Sequence, residues 1–292
     1  MVKGCLLFGL LLFSLRVVAT EPLHVLLLNP GAGNWFWKQT IEFMQAASED
    51  LGIELEVLDS EKNMLAVTQL REIVDRPHLP DYLLISNENG IGGDLLRIAD
   101  RADLKTFLFI NGFESKRDRR EYGKPRQYYK SWIGELIPDN YSAGYQMGTV
   151  LLDKALKQGM DKPYGKVQLA AIAGTSNTQA SSERVRGLGK AVSEREDRVK
   201  LLKIVAGDWT QQRAFKLSLH LFTHYPNIQA FWGVNDSTAI GEIQAALDKG
   251  KQPGKDLLFV SCGWHPQAID KVSRGELVAT IGGISWMAPG RW

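Results

Sequence analysis

The 292-residue sequence contains only two cysteines, Cys5 and Cys262. Cys5 lies in an apolar amino-terminal stretch that we expect to be removed, so the mature chain would keep Cys262 alone and form no internal disulfide. A lone cysteine at the end of an apolar run is typical of a small buried side chain rather than of a nucleophile. Stability is therefore expected to come from the hydrophobic core.

An excess of charge of one sign is also missing. The chain has 35 basic and 33 acidic residues, a formal net charge of +2, and its basic residues are spread along its length. Nucleic-acid-binding domains usually concentrate basic residues on one face, so we predict no nucleic-acid partner. A transcription repressor would also need an amino-terminal DNA-binding domain, and an apolar segment occupies that place.

Long apolar runs are confined to the amino terminus. Residues 1–20 carry Lys3, an apolar stretch over 5–15 and small residues up to Ala19, the layout of a secretory signal peptide. An uncleaved membrane anchor is the alternative, although the apolar stretch is short and Arg16 interrupts it. No later run reaches eighteen apolar residues, so we expect an exported protein located in the periplasm.

Familiar catalytic patterns are absent too. The sequence has no Gly-x-Ser-x-Gly motif and no metal-binding pair among its five histidines. Gly31-Ala32-Gly33 resembles part of a dinucleotide-binding loop, but the third glycine is missing and the aromatic residues 35–37 would obstruct a pyrophosphate. We therefore predict no enzyme activity, no cofactor and no metal; an exported α/β enzyme is the less favoured alternative.

What the sequence does contain is an alternation of short apolar runs and amphipathic segments. In the first amphipathic segment, Phe36, Thr40, Phe43, Ala47 and Leu51 recur at helical spacing. Alternating strands and helices predict parallel sheets with helices on both faces. The predicted strands are 23–29, 53–58, 81–86, 104–110, 166–173, 199–205, 228–234, 256–262 and 276–282.

The alternation is interrupted once, between residues 111 and 140. A charge run of mixed sign, 116–120, lies there, and we interpret it as a solvated surface loop. Four β-α units precede the break and about five follow, so we predict two doubly wound α/β lobes joined by a hinge. The expected boundaries are 21–138 for the amino-terminal lobe and 139–283 for the carboxyl-terminal lobe, with 284–292 starting a crossing back to the first lobe.

Several motifs, in their order and spacing, resemble one family. They are Asn34-Trp35-Phe36-Trp37, Pro138-Asp139-Asn140 followed by Gly144, residues 172–176 leading to 184–187, the segment 231–241, and the segment 275–281. Together they span nearly the whole predicted mature chain. On these residues the sequence resembles the type I periplasmic sugar-binding proteins of the ribose-binding branch, in which two lobes close on a small ligand.

The resemblance implies a ligand cleft between the lobes. Aromatic faces there would stack on a sugar ring, and fixed polar groups would hydrogen-bond its hydroxyls. The implied ligand-binding residues are Asn34, Phe36, Trp37, Asn140, Arg184, Trp209, Asn235 and Trp264.

The first-lobe aromatics and the arginine also have structural interpretations. Phe36 or Trp37 would suit the buried face of the helix that follows. Arg184 would suit a surface salt bridge with Glu183 or Glu194. The resemblance favours the ligand role for all three.

The predicted asparagines stand where helix caps are typical. Asn140 is preceded by Asp139, and Asn235 is followed by Asp236, so either member of each pair would serve as a cap. We assign the two asparagines to the ligand and the two aspartates to local structure.

Departures from the ribose-binding pattern predict a different ligand. Gly263-Trp264-His265 stands in place of a ligand aspartate, and Gly282-Gly283 in place of a glutamine. The acid–arginine pair after the fourth strand is replaced by Asn111-Gly112; Asn87 and Glu88 either compensate or belong to a solvated loop. We expect a ligand that is larger than ribose, less hydroxylated, or a furanose derivative.

By this resemblance the protein captures a sugar or sugar-like molecule for an ABC importer. The same cleft would serve the alternative, presentation of the ligand to a membrane sensor. The implied partners are the carbohydrate-like ligand and a membrane permease or membrane sensor, and we expect a monomer. Chains of the family continue past the final crossing, so we also expect that this chain is truncated at its carboxyl terminus.

Overall fold

The computed structural model describes residues 21–31, 33–60, 63–113 and 115–282. The predicted signal peptide over 1–20 and the predicted crossing over 284–292 lie outside these residues. Among the described residues, no helix combines the length and the apolar character needed to span a membrane.

In the described residues, ten strands form two separate parallel sheets. The first sheet has the strand order β2-β1-β3-β4-β5 and the second the order β10-β9-β8-β6-β7. The strands of the first sheet are β1 (His24–Asn29), β2 (Glu54–Asp59), β3 (Tyr82–Ile85), β4 (Thr106–Phe109) and β5 (Trp132–Leu136). Those of the second are β6 (Val167–Ala173), β7 (Val199–Ala206), β8 (Ala230–Gly233), β9 (Leu258–Cys262) and β10 (Ala279–Ile281).

Helices connect the strands, as parallel pairing requires. In the described part of the chain they are α1 (Trp35–Leu51), α2 (Asn63–Val74), α3 (Gly92–Arg101), α4 (Lys116–Tyr122), α5 (Asn140–Lys157), α6 (Gln179–Ser193), α7 (Gln211–His224), α8 (Asp236–Asp248) and α9 (Pro266–Ser273). Two single 3₁₀ turns, Glu88–Gly90 and Lys162–Tyr164, follow β3 and α5.

The inner strands of the second sheet, β6, β8 and β9, are almost uniformly apolar, and β6 shows the reason. Every residue of β6 is buried, because Leu169 and Ala171 pack under α5 and α6 while Ala170 and Ile172 pack under α7 and α8. In a strand that is covered on both faces, apolar residues do not alternate with solvent-facing polar residues, because no face contacts water. The predicted fold class, two doubly wound parallel-sheet lobes, is confirmed.

Two local predictions are wrong, and both fall in the interruption between residues 111 and 140. β5 lies there as a tenth strand; it is an edge strand whose Ile133, Gly134 and Glu135 are half-buried, so it carries no continuous apolar run. The charged segment forms α4 rather than a loop, because the Ser115 hydroxyl accepts the Asp118 N–H at 3.0 Å and caps the helix.

Candidate functional site

A cavity of about 290 Å³ lies where the carboxyl ends of the strands of both sheets meet. Open parallel sheets bind ligands at this edge, and the volume lies near the lower limit of the roughly 300–1,000 Å³ typical of small-molecule sites. Its wall is formed by Pro30, Gly31, Asn34, Trp35, Phe36, Trp37, Glu88, Asn89, Ile110, Asn111, Thr175, Ala180, Arg184, Asp208, Trp209, Asn235, Asp236, Ser237, Cys262 and Gly263.

Six of the eight predicted residues lie on this wall: Asn34, Phe36, Trp37, Arg184, Trp209 and Asn235. The other two, Asn140 and Trp264, are not part of it. Their direct contact with a ligand stays a prediction; Asn140 hydrogen-bonds the wall residue Arg184.

The first-lobe part of the wall is aromatic. Asn34 begins α1 as its cap, and its side-chain oxygen accepts the Phe36 N–H at 2.8 Å. The Trp37 indole lies so close to Gly31 that a Cβ there would overlap it. Trp37 is only 5% exposed, and its ring centroid lies 6.2 Å from that of Phe109 in an edge-on arrangement. Trp37 is therefore both a core and a wall residue, and Phe36 offers the more open face.

The second lobe supplies another aromatic face. Trp209 has a φ of 70°, rare for a residue with a side chain, and its indole lies against Gly174, where a Cβ would overlap the ring. The indole Nε1–H donates to the Thr175 hydroxyl at 3.1 Å. These contacts fix the orientation of Trp209 at the cavity.

Arg184 on α6 lies at the centre of the polar contacts. Its Nε donates to Asn140 Oδ1 at 3.0 Å and its Nη1 to the Val234 carbonyl at 3.0 Å. Its Cζ lies 6.0 Å from the centroid of a Trp209 ring. These two bonds use two of the five guanidinium N–H donors, which leaves three for a ligand. Asn140 thus orients Arg184 from behind.

The alternative salt bridges expected for Arg184 do not form. Glu183 pairs with Arg186, and Glu194 pairs with Lys190 and Arg195. In the part of the chain that the structure describes, no carboxylate lies within ion-pair distance of Arg184. Its charge is balanced by neutral acceptors only, so it remains available to ligand oxygens.

A tight helix crossing holds Arg184 at this place. A Cβ on Gly144 of α5 would overlap the Arg184 backbone, and one on Gly187 of α6 would overlap the Tyr141 carbonyl oxygen. The two glycines let the helices approach closely enough for an α6 side chain to reach Asn140.

Asn235 is the cap of α8. Its Oδ1 accepts the Thr238 N–H at 2.9 Å, and its Nδ2 donates to the Trp209 carbonyl at 3.2 Å. Asn235 lies on the wall as predicted, but its side chain also joins the two loops that carry the wall.

Asp236 sits in a buried hydrogen-bond network. It accepts from the Ser261 hydroxyl, from the Thr280 hydroxyl at 2.7 Å and from the His265 N–H at 2.6 Å. Burial raises the pKa of this carboxyl, and the three donors oppose that rise. The network ties α8 to β9 and β10, in addition to placing an acid on the wall.

Trp264 contacts the last strand, β10, and the residue after it. Its Nε1–H donates to the Thr280 carbonyl at 3.0 Å, and its ring lies over Gly282. Next to it, the His265 ring contacts Trp35 of the first lobe, with ring centroids 4.4 Å apart. Desolvation lowers the pKa of His265.

Among the wall residues outside the predicted eight, Asn111 and Glu88 form a polar pair. Asn111 is buried, and its Nδ2 donates to Glu88 Oε1 at 2.6 Å. Burial raises the pKa of Glu88 to about 7, although the Asn111 bond opposes the rise. The sequence indicates both by position near strand ends, Asn111 in place of the acid–arginine pair and Glu88 as a residue that either compensates for it or belongs to a solvated loop; both lie on the wall.

Two parallel sheets with a ligand-sized cavity shared between the ends of their strands define a type I periplasmic binding protein fold. The chain belongs to this family: residues 25–288 match the model of the periplasmic binding protein domain. The predicted family is therefore confirmed.

Known proteins resemble the chain over most of its length. It is 25% identical to the D-allose-binding periplasmic protein of Escherichia coli over 94% of this chain and 83% of the relative. It is 25% identical to the ribose import binding protein of the same organism, over 85% and 75%. A crystal structure of a periplasmic sugar-binding protein from Pseudomonas fluorescens superposes with a TM-score of 0.79 at 32% identity, covering 91% of this chain and 76% of that one. These relatives are named as binding proteins rather than as enzymes.

Proposed function

We propose that the protein binds a monosaccharide in the cavity between its lobes and delivers it to the permease of an ABC importer. The observation that carries the proposal is Arg184, which has no carboxylate partner among the described residues and is held beside the Trp209 ring on a cavity of about 290 Å³. The guanidinium would hold ring hydroxyls while Trp209 and Phe36 cover the apolar faces of the sugar.

Binding would proceed by closure of two lobes, over residues 21–138 and 139–283, about a hinge. Wall residues come from both lobes, so a ligand would gain its full set of contacts only in the closed form. No chemical step is required, and the wall needs neither a cofactor nor a metal for this role.

The setting of the proposed function is the periplasm. The D-allose-binding relative and the superposed sugar-binding protein are named as periplasmic, and the ribose relative is named as an import binding protein. These names support export through the predicted signal segment and favour transport over presentation to a sensor. We propose a monomer, because one chain supplies both halves of the cavity.

The proposal is tested by thermal shift and tryptophan fluorescence with D-allose, D-ribose, D-galactose and L-arabinose. We expect at least one sugar to stabilise the protein, and Trp209→Ala to abolish the shift. Tyr164→Ala, an exposed aromatic far from the wall residues in sequence, is the matched control and should bind as wild type. If no sugar binds, or if Trp209→Ala binds unchanged, the proposal is wrong.

A further inference from the structure

Two hydrogen bonds join the lobes beside the cavity. The Ala180 N–H of the second lobe donates to Asn111 Oδ1 of the first at 2.9 Å, and the Gly112 N–H of the first lobe donates to Gln179 Oε1 of the second at 3.0 Å. Asn111 and Gly112 follow β4, whereas Gln179 and Ala180 are the first two residues of α6. The bonds therefore connect the end of a strand in one lobe with the beginning of a helix in the other.

The α6 helix has no side-chain cap from its own lobe. Thr178 occupies the cap position with extended backbone angles, but its hydroxyl bonds to the Thr175 hydroxyl and accepts no helix N–H. A cap side chain normally accepts the N–H of the second or third helical residue. Asn111 Oδ1 does this for Ala180, so the first lobe caps a helix of the second.

Contacts within the first lobe fix the position of Asn111, from which its side chain caps α6. Besides the bond to Glu88, its carbonyl accepts the Asn87 N–H at 2.9 Å. Its N–H donates to the Phe109 carbonyl at 2.8 Å across Ile110, which has a φ of 69°. A β-branched residue in a left-handed turn is strained, and such strain persists where surrounding contacts fix it, typically at functional sites.

The capped helix is the one that carries Arg184. Arg184 lies five residues after Gln179 on α6, so steadying the first turn of α6 also steadies the guanidinium at the cavity. The two interlobe hydrogen bonds, called the bridge below, and Arg184 therefore involve the same helix, α6.

We propose that Asn111 and Gln179 are closure residues: the first lobe completes the amino terminus of α6 only when the lobes are shut, and this bridge stabilises the ligand-bound form. The inference rests on the proposed capture by lobe closure. Gln179 is not on the cavity wall, so it acts through the bridge and not by touching the sugar.

Amide hydrogen exchange measured by NMR tests the bridge in the sugar-bound protein, at a saturating concentration of whichever of D-allose, D-ribose, D-galactose and L-arabinose gives the largest thermal shift. Asn111→Ala removes the acceptor of the Ala180 N–H. The Ala180 amide, which lies in the other lobe, should then exchange on the order of tenfold faster. In Gln179→Met, changed in the second lobe, the Gly112 amide of the first lobe should exchange faster in the same way. Gln244→Met, on the exposed face of α8, is the matched control and should alter neither amide.

The second measurement is the Kd of the sugar that gives the largest thermal shift among D-allose, D-ribose, D-galactose and L-arabinose. Gln179→Met should raise its Kd about three- to tenfold, the effect of one net hydrogen bond, through faster dissociation. If both amides exchange at wild-type rates in the variants, the bridge does not exist in solution and the inference is overturned. If the amides respond but the Kd is unchanged, the bridge forms without assisting capture, which also overturns it. A wild-type chain that binds none of the four sugars contradicts the proposed function itself, an outcome distinct from sugar binding with unchanged amide exchange.

Discussion

The Glu88 carboxyl on the cavity wall is expected to make the free energy of unfolding fall as the pH rises. One variant, Glu88→Gln, removes this contribution. Its pKa lies at about 7 instead of 4.5 because burial outweighs the hydrogen bond from Asn111. A carboxyl whose pKa is raised by folding contributes stability that is complete below about pH 4.5 and is lost as the pH rises towards 7. Glu88→Gln keeps an oxygen acceptor for Asn111 and removes the titration.

The magnitude follows from the difference between 4.5 and about 7. At about 1.4 kcal/mol per pH unit, the ionised carboxyl costs about 3 kcal/mol of unfolding free energy at high pH, and about 2–3 kcal/mol of this cost appears between pH 5 and pH 8. Glu88→Gln should therefore match wild type near pH 5 and exceed its stability at pH 8 by roughly this amount.

The assay is urea unfolding followed by tryptophan fluorescence at pH 5, 6, 7 and 8. Glu42→Gln, at an exposed position of α1, serves as the control for the substitution itself. A Glu88→Gln profile parallel to wild type over the whole range would refute the reasoning, because it would mean that Glu88 ionises on the wall at no cost.

Two further predictions concern the second lobe. Gly144→Ala should destabilise the protein by about 1–3 kcal/mol, because the new methyl group would overlap the Arg184 backbone. Gly189→Ala, in the same helix pair but with open space around it, should be neutral or slightly stabilising; equal thermal midpoints for the two variants would contradict this. Glu242→Met should stabilise the protein at pH 8 by about 1–3 kcal/mol, because both oxygens of this fully buried carboxyl lack a hydrogen-bond partner in the described residues and burial raises its pKa. Equal or lower urea midpoints for Glu242→Met at pH 8 would rule this out.

The fold was largely predictable from the sequence because buried parallel strands are continuous apolar runs. Every residue of β6 is buried, and so is every residue of β9, so the runs at 166–173 and 256–262 stand out without any knowledge of the structure. β5 could not be recognised in the same way, because it is an edge strand with Gly134 and Glu135 in its middle.

The position of the site was predictable to a similar degree. Residues that follow parallel strands gather at one sheet edge, which is why Asn34, Trp209 and Asn235 all lie on the wall. Arg184 is not at a strand end, and only its resemblance to a family motif pointed to it.

The roles of single residues depend on partners that the sequence does not reveal. Asn140 supports Arg184 from behind because Gly144 lets the two helices approach. Asn111 follows a strand like the other wall residues, yet its side chain serves α6 of the opposite lobe. That contact arises from the arrangement of the lobes, so no local pattern could indicate it.

The most direct test of the central claim is calorimetric titration of wild type, Arg184→Ala and Arg186→Ala with the sugar that gives the largest thermal shift. Arg186 is the matched control: it lies two residues along the same helix, is largely exposed and pairs with Glu183. We expect Arg184→Ala to weaken binding about tenfold to a hundredfold, the usual effect of losing hydrogen bonds from a charged group, and Arg186→Ala to bind as wild type. Equal affinities of Arg184→Ala and wild type would contradict the claim that a sugar is held in this cavity.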